Sequence, residues 1–152
     1  MTIVLSDQDW EEILEEHQQN HICNSSPDTY EKYIEAKTKY CHWREWYMPL
    51  RSGLQIRTYE FKPIDDFVEF GKHGNDTVTT LSFFLKGNSQ TILQGLTNSA
   101  SEIVGRNYLE YSPNIQESDE YAANKQVLRV QISIEPTKFF REFDPNQLQQ
   151  KC

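Results

Sequence analysis

The sequence predicts a mainly β domain that closes into a sandwich or a barrel, and three observations support this fold class. Short stretches of alternating apolar and polar residues recur between Tyr40 and Ile134, separated by glycine, proline or asparagine. The clearest of them, 127–134, stops before Pro136 and is followed by an aromatic segment that predicts a C-terminal helix. The length of 152 residues is that of one domain with a core of its own.

The first predicted element is a helix from Ser6 to about residue 20. Ser6 is a suitable N-cap, Asp9 takes the carboxylate position of a capping box, and Leu5 is placed to contact Trp10. A loop is predicted over 21–28. Segment 30–39 is ambiguous, because its composition allows a short helix while its aromatic residues favour a strand.

The predicted strands then follow at short intervals, with one turn at 51–53 and a hairpin turn at 87–88. The polar stretch 114–120 is predicted to be a loop. About nine or ten strands are enough to close a sandwich or barrel. They cover 40–50, 54–61, 67–70, 78–86, 90–94, 102–104, 108–111, 121–124 and 127–134.

The charge balance argues against direct contact with nucleic acid. The chain has 15 Lys and Arg against 23 Asp and Glu, a formal net charge of −8. A polyphosphate backbone would be repelled by such a chain.

Cysteine usage and hydropathy predict a soluble cytoplasmic protein. Cys23, Cys41 and Cys152 are widely spaced and form no CxxC pair, which fits a reducing compartment, although a Cys23–Cys41 bridge is an alternative. The sequence has no secretory signal at its start and no apolar run of membrane-spanning length.

Aromatic and arginine residues on the predicted strands form the candidate ligand site. Arginine among aromatic rings can bind a carboxylate or stack on a ring, and a barrel of this size can hold one small ligand. An ordinary core with a solvated outer face is the alternative interpretation of the same pattern. The candidate ligand-binding residues are Trp43, Trp46, Arg57, Tyr59, Phe83 and Arg129.

Several segments, taken in their order and spacing, resemble the N-terminal domain of AraC-type transcription regulators. The similarity covers most of the chain and is to the pyochelin-regulator-like branch common in cyanobacteria. It rests on 1–6 with the acidic helix that follows, 50–56 (LRSGLQI), 65–66 (DD), 81–87 (LSFFLKG), 105–109 (GRNYL) and 132–136 (ISIEP).

The resemblance implies a cupin-like β-barrel, or jelly roll, with an N-terminal and a C-terminal helix, and makes 1–152 a single effector-binding domain. Such a domain senses a small molecule and passes the signal to a C-terminal helix-turn-helix pair. That DNA-binding half is absent from this chain, so DNA would be a partner only through it. In the best-known relative the effector is a ferric siderophore, which is therefore the expected effector here, and no membrane partner is expected.

A cupin-type metal enzyme is the first alternative. Such enzymes need an H-x-H-x(3,4)-E cluster, and this chain has no H-x-H. The nearest set is Glu69, His73 and Asp76 beside one loop, and polar loops often gather such residues. No nucleophile elbow or glycine-rich phosphate loop is present in the sequence. We therefore expect no metal, no cofactor and no enzymatic activity.

A dimerisation or scaffolding domain without a ligand is the second alternative, and a homodimer is compatible with the regulator as well. The apolar helix faces that would then mediate self-association are those of Trp10, Ile13 and Leu14, or of Phe139, Phe140 and Phe143.

Overall fold

A computed structural model describes residues 1–18, 31–72, 78–94, 99–111 and 114–141 of the chain. In these residues it has eleven strands and two helices. The helices are α1 (Asp7–Gln18) and α2 (Pro136–Arg141). The strands are β1 (Thr2–Ser6), β2 (Lys32–Lys37), β3 (Cys41–Arg51), β4 (Leu54–Pro63), β5 (Asp66–Lys72), β6 (Thr79–Lys86), β7 (Ser89–Leu93), β8 (Ala100–Glu102), β9 (Asn107–Glu110), β10 (Gln116–Tyr121) and β11 (Val127–Ile134).

The strands form two sheets that pack face to face. The five-stranded sheet has the order β1-β5-β10-β7-β8, and the six-stranded sheet has the order β2-β3-β4-β11-β6-β9. The pairing of β1 with β5 is parallel, and the other pairings between described strands are antiparallel. This arrangement confirms the predicted mainly β sandwich.

An aromatic layer joins the two sheets at one end of the sandwich. Trp43, Phe61 and Val127 lie side by side on β3, β4 and β11, and all three are buried. Phe67 and Tyr121 are register partners on the opposite sheet. The Phe61 ring centroid lies 5.0 Å from that of Phe67 and 4.8 Å from that of Tyr121, in edge-to-face contacts.

The inward-facing residues become polar further along the same strands. On the six-stranded sheet the next paired positions are Tyr59 and Arg129. On the five-stranded sheet they are Glu69 and Asp119. The interior of the sandwich therefore changes from an apolar base to a polar half over two or three residues of each strand.

The predicted capping box starts α1. The backbone nitrogen of Ser6 donates to Asp9 Oδ2 at 2.8 Å, and the Asp9 backbone nitrogen donates to Ser6 Oγ at 3.2 Å. One turn later Trp10 packs on the aromatic layer, with its ring centroid 5.8 Å from that of Trp43 and 6.1 Å from that of Phe67. Trp10 therefore closes the domain's own core, and the helix face expected for self-association is not free at this residue. The side chain of Leu14 lies outside the described part of the chain.

One strand was not predicted, and two predicted features, the loop 114–120 and the hairpin at 87–88, differ from the structure. The N-terminal residues of β1 pair with β5, a long-range contact that periodicity does not reveal. The predicted loop 114–120 contains most of β10, which is polar because its inward face lines the polar half of the interior. The predicted hairpin of 78–86 with 90–94 does not exist, because β6 and β7 belong to different sheets. Gly87, with φ of 73°, lies in the connection that leads from β6 in one sheet to β7 in the other. A Cβ at this position would lie 2.2 Å from the Gln126 carbonyl oxygen.

Two further predicted strands are wrong: after Tyr121 the segment 121–124 is a turn, and 102–104 shares only Glu102 with β8. The other predictions agree with the structure or fall outside its described residues. The ambiguous segment 30–39 contains the strand β2, and the C-terminal helix begins at Pro136 as α2. Cys41 is a buried free thiol, and burial raises its pKa to about 11. Cys23, Cys152 and Phe143 lie outside the described residues. Neither described helix is long and apolar enough to cross a membrane.

We expect Phe61→Ala to lower the free energy of unfolding by about 3–5 kcal/mol, because it empties the centre of the aromatic layer. Urea denaturation followed by circular dichroism measures this change. Phe70→Ala is the control, because Phe70 is 50% exposed on the outer side of β5 and should cost far less. Equal losses for the two variants would mean that the aromatic layer does not hold the sheets together.

Candidate functional site

A cavity of about 420 Å³ lies between the sheets in the polar half of the sandwich. Its walls are formed by inward-facing residues of both sheets and by the start of α1. Two arginines, Arg57 and Arg129, contribute positive charge. The carboxylates that line it are Asp7, Glu45, Glu69, Glu102, Glu110, Glu117 and Asp119.

Two other depressions are larger but lack this concentration of inward-facing charge. One of about 500 Å³ lies beside Gly53 and Lys138 at the start of α2, and one of about 670 Å³ runs past Phe67 and Tyr121. Neither contains Arg57 or Arg129. The chemistry of the interior therefore selects the 420 Å³ cavity as the candidate site.

The two arginines stack on one tyrosine and keep unpaired donors. The Cζ atoms of Arg129 and Arg57 lie 4.6 Å and 5.5 Å from the ring centroid of Tyr59. Arg57 Nη2 donates to Glu45 Oε2 at 2.8 Å. The Nε atoms of both arginines are buried without a hydrogen-bond partner among the described residues. A buried unpaired donor of a charged group is costly, so both arginines are suited to bind an acceptor that enters the cavity.

Glu69 is the carboxyl group of the cavity whose proton affinity is changed most clearly. Burial raises its pKa to about 7, the neighbouring Asp119 adds to this, and Arg129 opposes it. Asp119 in turn accepts a hydrogen bond from Thr91 Oγ1 at 2.5 Å. Near neutral pH Glu69 is therefore present in both protonation states and can donate or accept a hydrogen bond.

Glu102 contributes a second buried carboxyl group at the other side of the cavity. Burial raises its pKa, while the hydrogen bond that Ser89 Oγ donates to Glu102 Oε2 at 2.6 Å opposes the change. The cavity therefore contains acceptors at Asp119 and Glu102 and donors at the two arginines, which is an arrangement for a ligand with both kinds of polar group.

The structure brings together four of the six residues predicted to bind a ligand. Trp43, Arg57, Tyr59 and Arg129 all line the cavity. The Arg57 side chain is 36% exposed and lies nearer the opening, so that a ligand can reach it from solvent. The assignment of these four residues to ligand binding stays a prediction.

Trp46 and Phe83 lie on the opposite face of the six-stranded sheet. Trp46 alternates with the inward-facing Trp43 and Glu45 along β3, and its Nε1 donates to Glu31 Oε2 at 3.3 Å. Phe83 lies between two buried neighbours, Ser82 and Phe84, so strand alternation turns it outward. A ligand in the cavity would not contact either residue, which corrects their place in the predicted site.

The cavity carboxylates were not among the predicted ligand-binding residues. Glu117, Asp119 and Tyr121 alternate along β10 and share its inward face, but the polar composition of this segment predicted a loop. Glu69 was considered only as a metal ligand. The alternation of 117, 119 and 121 is the one signal in the sequence by which this wall could have been found.

The described residues do not fit the metal centre of a cupin enzyme. None of the described residues that line the cavity is a histidine. His42 contacts Glu35 on the outer face at 2.8 Å, and His17 contacts its own helix at the Ile13 carbonyl oxygen. No group of three or more described His, Cys, Asp and Glu residues is placed to hold a metal ion. His73 and Asp76, predicted as the nearest ligand set with Glu69, lie outside the described residues.

Comparison with solved structures identifies the fold. Oxalate decarboxylase from Bacillus subtilis, studied for its Mn(II) centres, matches with a TM-score of 0.50 at 10% identity, over 75% of this chain and 32% of its own. A cupin superfamily protein from Desulfitobacterium hafniense matches with a TM-score of 0.48 at 14% identity, over 66% of this chain and 83% of its own. An HTH_3 family transcriptional regulator from Vibrio cholerae matches with a TM-score of 0.45 at 13% identity, over 85% of this chain and 61% of its own.

The described residues thus share the fold of oxalate decarboxylase, two packed β-sheets, in agreement with the fold class that the sequence predicted. No protein-family model matches the chain. No curated protein sequence matches it. The likeness to oxalate decarboxylase shows the fold alone, and the AraC-type branch of the resemblance stays a prediction.

The expectation that the chain has no enzymatic activity is corrected. Oxalate decarboxylase, an enzyme, shares the fold at a TM-score of 0.50, and this chain spans about a third of that enzyme's length. The fold therefore gives no ground for treating the chain as a simple binding domain.

We expect Glu69→Gln to remove a pH dependence from the stability of the domain. The folded pKa of about 7 exceeds the ordinary 4.5, so the folded state holds this proton more tightly than the unfolded state. Protonated Glu69 contributes at most about 3 kcal/mol to the free energy of unfolding. This contribution is complete below about pH 4.5 and is lost as the pH rises through about 7. Because glutamine stays neutral, the variant should gain stability relative to the native chain between pH 5 and pH 8.

Urea denaturation at the two pH values measures the effect. Glu120→Gln is the matched control, because Glu120 lies on the same strand as Asp119 but points to the other face of the sheet. If the native chain and Glu69→Gln kept the same stability difference at both pH values, Glu69 would titrate as an ordinary carboxyl group.

Proposed function

We propose that this chain is the effector-binding domain of an AraC-type transcription regulator in the cytoplasm, and that its effector is a small molecule with an acidic oxygen group. The observation that carries the proposal is the pair of arginines, Arg57 and Arg129, whose buried Nε atoms have no partner among the described residues, at a polar cavity between the sheets. DNA binding would belong to a helix-turn-helix half outside residues 1–152.

The two arginines define one end of the ligand. A carboxylate or phenolate oxygen between them would accept the hydrogen bonds that the protein leaves unmade, and charge-assisted bonds of this kind are stronger than neutral ones. The ring of Tyr59, which packs against both guanidinium groups, keeps them in place before the ligand arrives. Little side-chain order then has to be created on binding.

The carboxyl groups define the other end of the ligand. Asp119 and Glu102 offer acceptors, and Glu69 near its pKa of about 7 offers either an acceptor or a donor. A ligand that carried only negative charge would meet repulsion from these groups. The effector therefore combines an acidic oxygen group with hydroxyl, amine or amide donors.

A ferric siderophore is the specific effector that we propose. Its oxygen donors would meet the arginines, and its rings would pack on Tyr59 and Trp43. The sequence resemblance to the pyochelin-regulator-like branch supports this choice, and the aromatic wall of the cavity is consistent with it.

We expect the ferric form of a phenolate siderophore to quench tryptophan fluorescence saturably, and Arg129→Gln to weaken its binding by roughly 10- to 100-fold through loss of a charge-assisted hydrogen bond. Trp43→Phe should remove part of the quenching and leave the part that comes from Trp10, because both tryptophans line the cavity. The titration is made in parallel with the iron-free siderophore and with small hydroxy acids and amino acids.

Matched controls come from the outer face of the same sheet. Arg44→Gln and Trp46→Phe should leave the affinity unchanged, since Arg44 pairs with Glu35 and Glu60 outside the barrel. If a small acid quenched the fluorescence saturably and the siderophore did not, the cavity would remain the binding site but the siderophore would not be its effector. The proposal would be contradicted if none of these compounds quenched the fluorescence saturably, or if Arg44→Gln and Arg129→Gln weakened the affinity equally.

A second candidate function follows from Glu69. A carboxyl group with a pKa of about 7 in a cavity beside two arginines has the properties of a general acid or base acting on an anionic substrate. In this case Arg57 and Arg129 would hold the substrate's acidic group, and Glu69 would move a proton at a neighbouring atom.

If the chain is such an enzyme, prolonged incubation with the bound compound should yield a product detected by NMR, and Glu69→Gln should lower the rate at least about 100-fold while binding persists. Glu120→Gln, on the outer side of β10, should keep the native rate. An unchanged ligand spectrum after incubation with protein that is shown to be saturated would remove this candidate.

A further inference from the structure

The depression of about 500 Å³ beside the start of α2 meets the candidate cavity. Gln55 of β4 and Ser133 of β11 are register partners, and each of them lines both the cavity and the depression. The two spaces are therefore in contact at this pair of residues. We call the second space the adjoining depression.

The adjoining depression continues the inner face of the six-stranded sheet. Strand alternation along β3 turns Glu45, Tyr47 and Pro49 to the same side. The first of them lines the cavity, and the other two line the depression. On β6, Thr80 lines the cavity, and Val78, two residues earlier in the chain, lines the depression. The cavity and the depression are therefore two parts of one trough that runs along the strands.

The two ends of this trough differ. The buried aromatic layer around Phe61 closes it at the base of the sandwich. At the other end the Glu135 backbone nitrogen donates to the Gly53 carbonyl oxygen at 2.7 Å, which holds the turn between β3 and β4 against the start of α2. A ligand longer than the cavity can therefore extend along the strands only toward α2.

An uncharged polar band follows the arginines along the trough. Gln131 Nε2 donates to Ser82 Oγ at 3.1 Å, and Thr80 Oγ1 lies 3.1 Å from Ser133 Oγ. Hydroxyl and amide groups have more than one hydrogen-bonding site, so each of these side chains can form a further bond. The band therefore suits an uncharged polar group of a ligand, such as an amide or a hydroxyl.

The adjoining depression itself suits an apolar group. Tyr47, Pro49 and Val78 are half-buried there and offer a ring and aliphatic carbon atoms for contact. The charged groups at its border already pair within the chain, because Lys138 Nζ lies 2.8 Å from Glu135 Oε2. A charged group of a ligand would gain little from such a neutralised pair.

The length of the trough indicates the length of a ligand that fills it. From Arg129 to Ser133 the extended strand covers about 14 Å. The cavity and the depression have volumes of about 420 Å³ and 500 Å³. Together they stay within the range of about 300–1,000 Å³ that is usual for small-molecule sites. A short acid held by the arginines would leave the depression empty.

We propose that the adjoining depression is a second subsite of the ligand site, and that the ligand is an elongated molecule whose uncharged apolar tail lies there. This inference rests on the proposed function, because Arg57 and Arg129 hold the acidic oxygen group of the same ligand. An amide or hydroxyl group in the middle of the ligand meets the polar band at Gln131 and Ser133. The affinity then depends on the length of the tail.

Two salicylate derivatives test the proposal: N-acetyl- and N-hexanoyl-aminosalicylate, with the amide para to the phenol. They carry the same acidic group and the same amide, and only the hexanoyl chain is long enough to reach Tyr47 and Val78. Isothermal titration calorimetry with the full chain measures both dissociation constants. We expect the hexanoyl compound to bind roughly 10-fold more tightly, because its chain leaves water for an apolar wall.

Variants at the depression locate the tail. Val78→Asp and Tyr47→Ala should bring the ratio of the two dissociation constants close to one, because each removes apolar contact from the depression. Thr79→Asp and Met48→Ala are the matched controls and should keep the native ratio, since strand alternation turns these neighbours to the outer side of the sheet. Circular dichroism shows whether each variant is folded, and Tyr47→Ala decides the matter if Val78→Asp is not.

Equal dissociation constants for the two compounds in the native chain would overturn the second subsite. The same conclusion would follow if Val78→Asp and Thr79→Asp changed the ratio equally. If Arg129→Gln nevertheless weakened the binding of both compounds, the arginine site of the proposed function would stand without the subsite.

The ferric siderophore is titrated in parallel, so that failure of the subsite and failure of the proposed function give different results. If the siderophore bound and neither salicylate did, the subsite alone would be overturned. If none of the three compounds bound, the proposed function would fail together with the subsite.

Discussion

The aromatic layer at the base of the barrel is the contact on which the rest of the structure depends. Phe61 meets Phe67 and Tyr121 of the opposite sheet, and Trp10 closes the layer from the helix side. Beyond this layer the facing side chains are largely polar and contribute little apolar burial. Their buried carboxyl groups cost free energy when ionised. The aromatic contacts must therefore supply most of the attraction between the sheets.

This division explains why single strands change character along their length. On β4 the inward side chains run from Phe61 through Tyr59 to Arg57, so one strand belongs to the core at one end and to the cavity at the other. Tyr59 is the boundary residue, because its ring packs on Phe61 at 6.0 Å and on both guanidinium groups. On β11 the polar Arg129, Gln131 and Ser133 take the inward positions that line the cavity, and the apolar Val130 and Ile132 alternate with them on the outer side.

Local patterns predicted the elements better than their arrangement. The alternation of 54–61 and 127–134 and the capping box of Ser6 with Asp9 depend on neighbours in sequence, and the structure has both. Alternation alone left open which face of each strand turns inward. The choice depends on cross-sheet partners far away in sequence, as do the pairing of β1 with β5 and the separation of β6 from β7. The carboxylates of β10 were missed for the same reason. Their place in the interior depends on Glu69, the register partner of Asp119 on β5, and on the two arginines of the other sheet, which are distant in sequence.

The charges of the cavity connect its occupancy to its protonation. Without a ligand, Arg129 and Arg57 lower the pKa of Glu69 and so oppose the effects of burial and of Asp119. An anion bound between the arginines would offset their positive charge, and its own charge would disfavour the ionised form of Glu69. Both effects would raise the pKa of Glu69 further, so an anion that bound there near neutral pH would increase the protonated fraction of Glu69. A protonated Glu69 would be a hydrogen-bond donor to such an acceptor, and this is how a cavity rich in carboxyl groups would accept the negatively charged molecule proposed above.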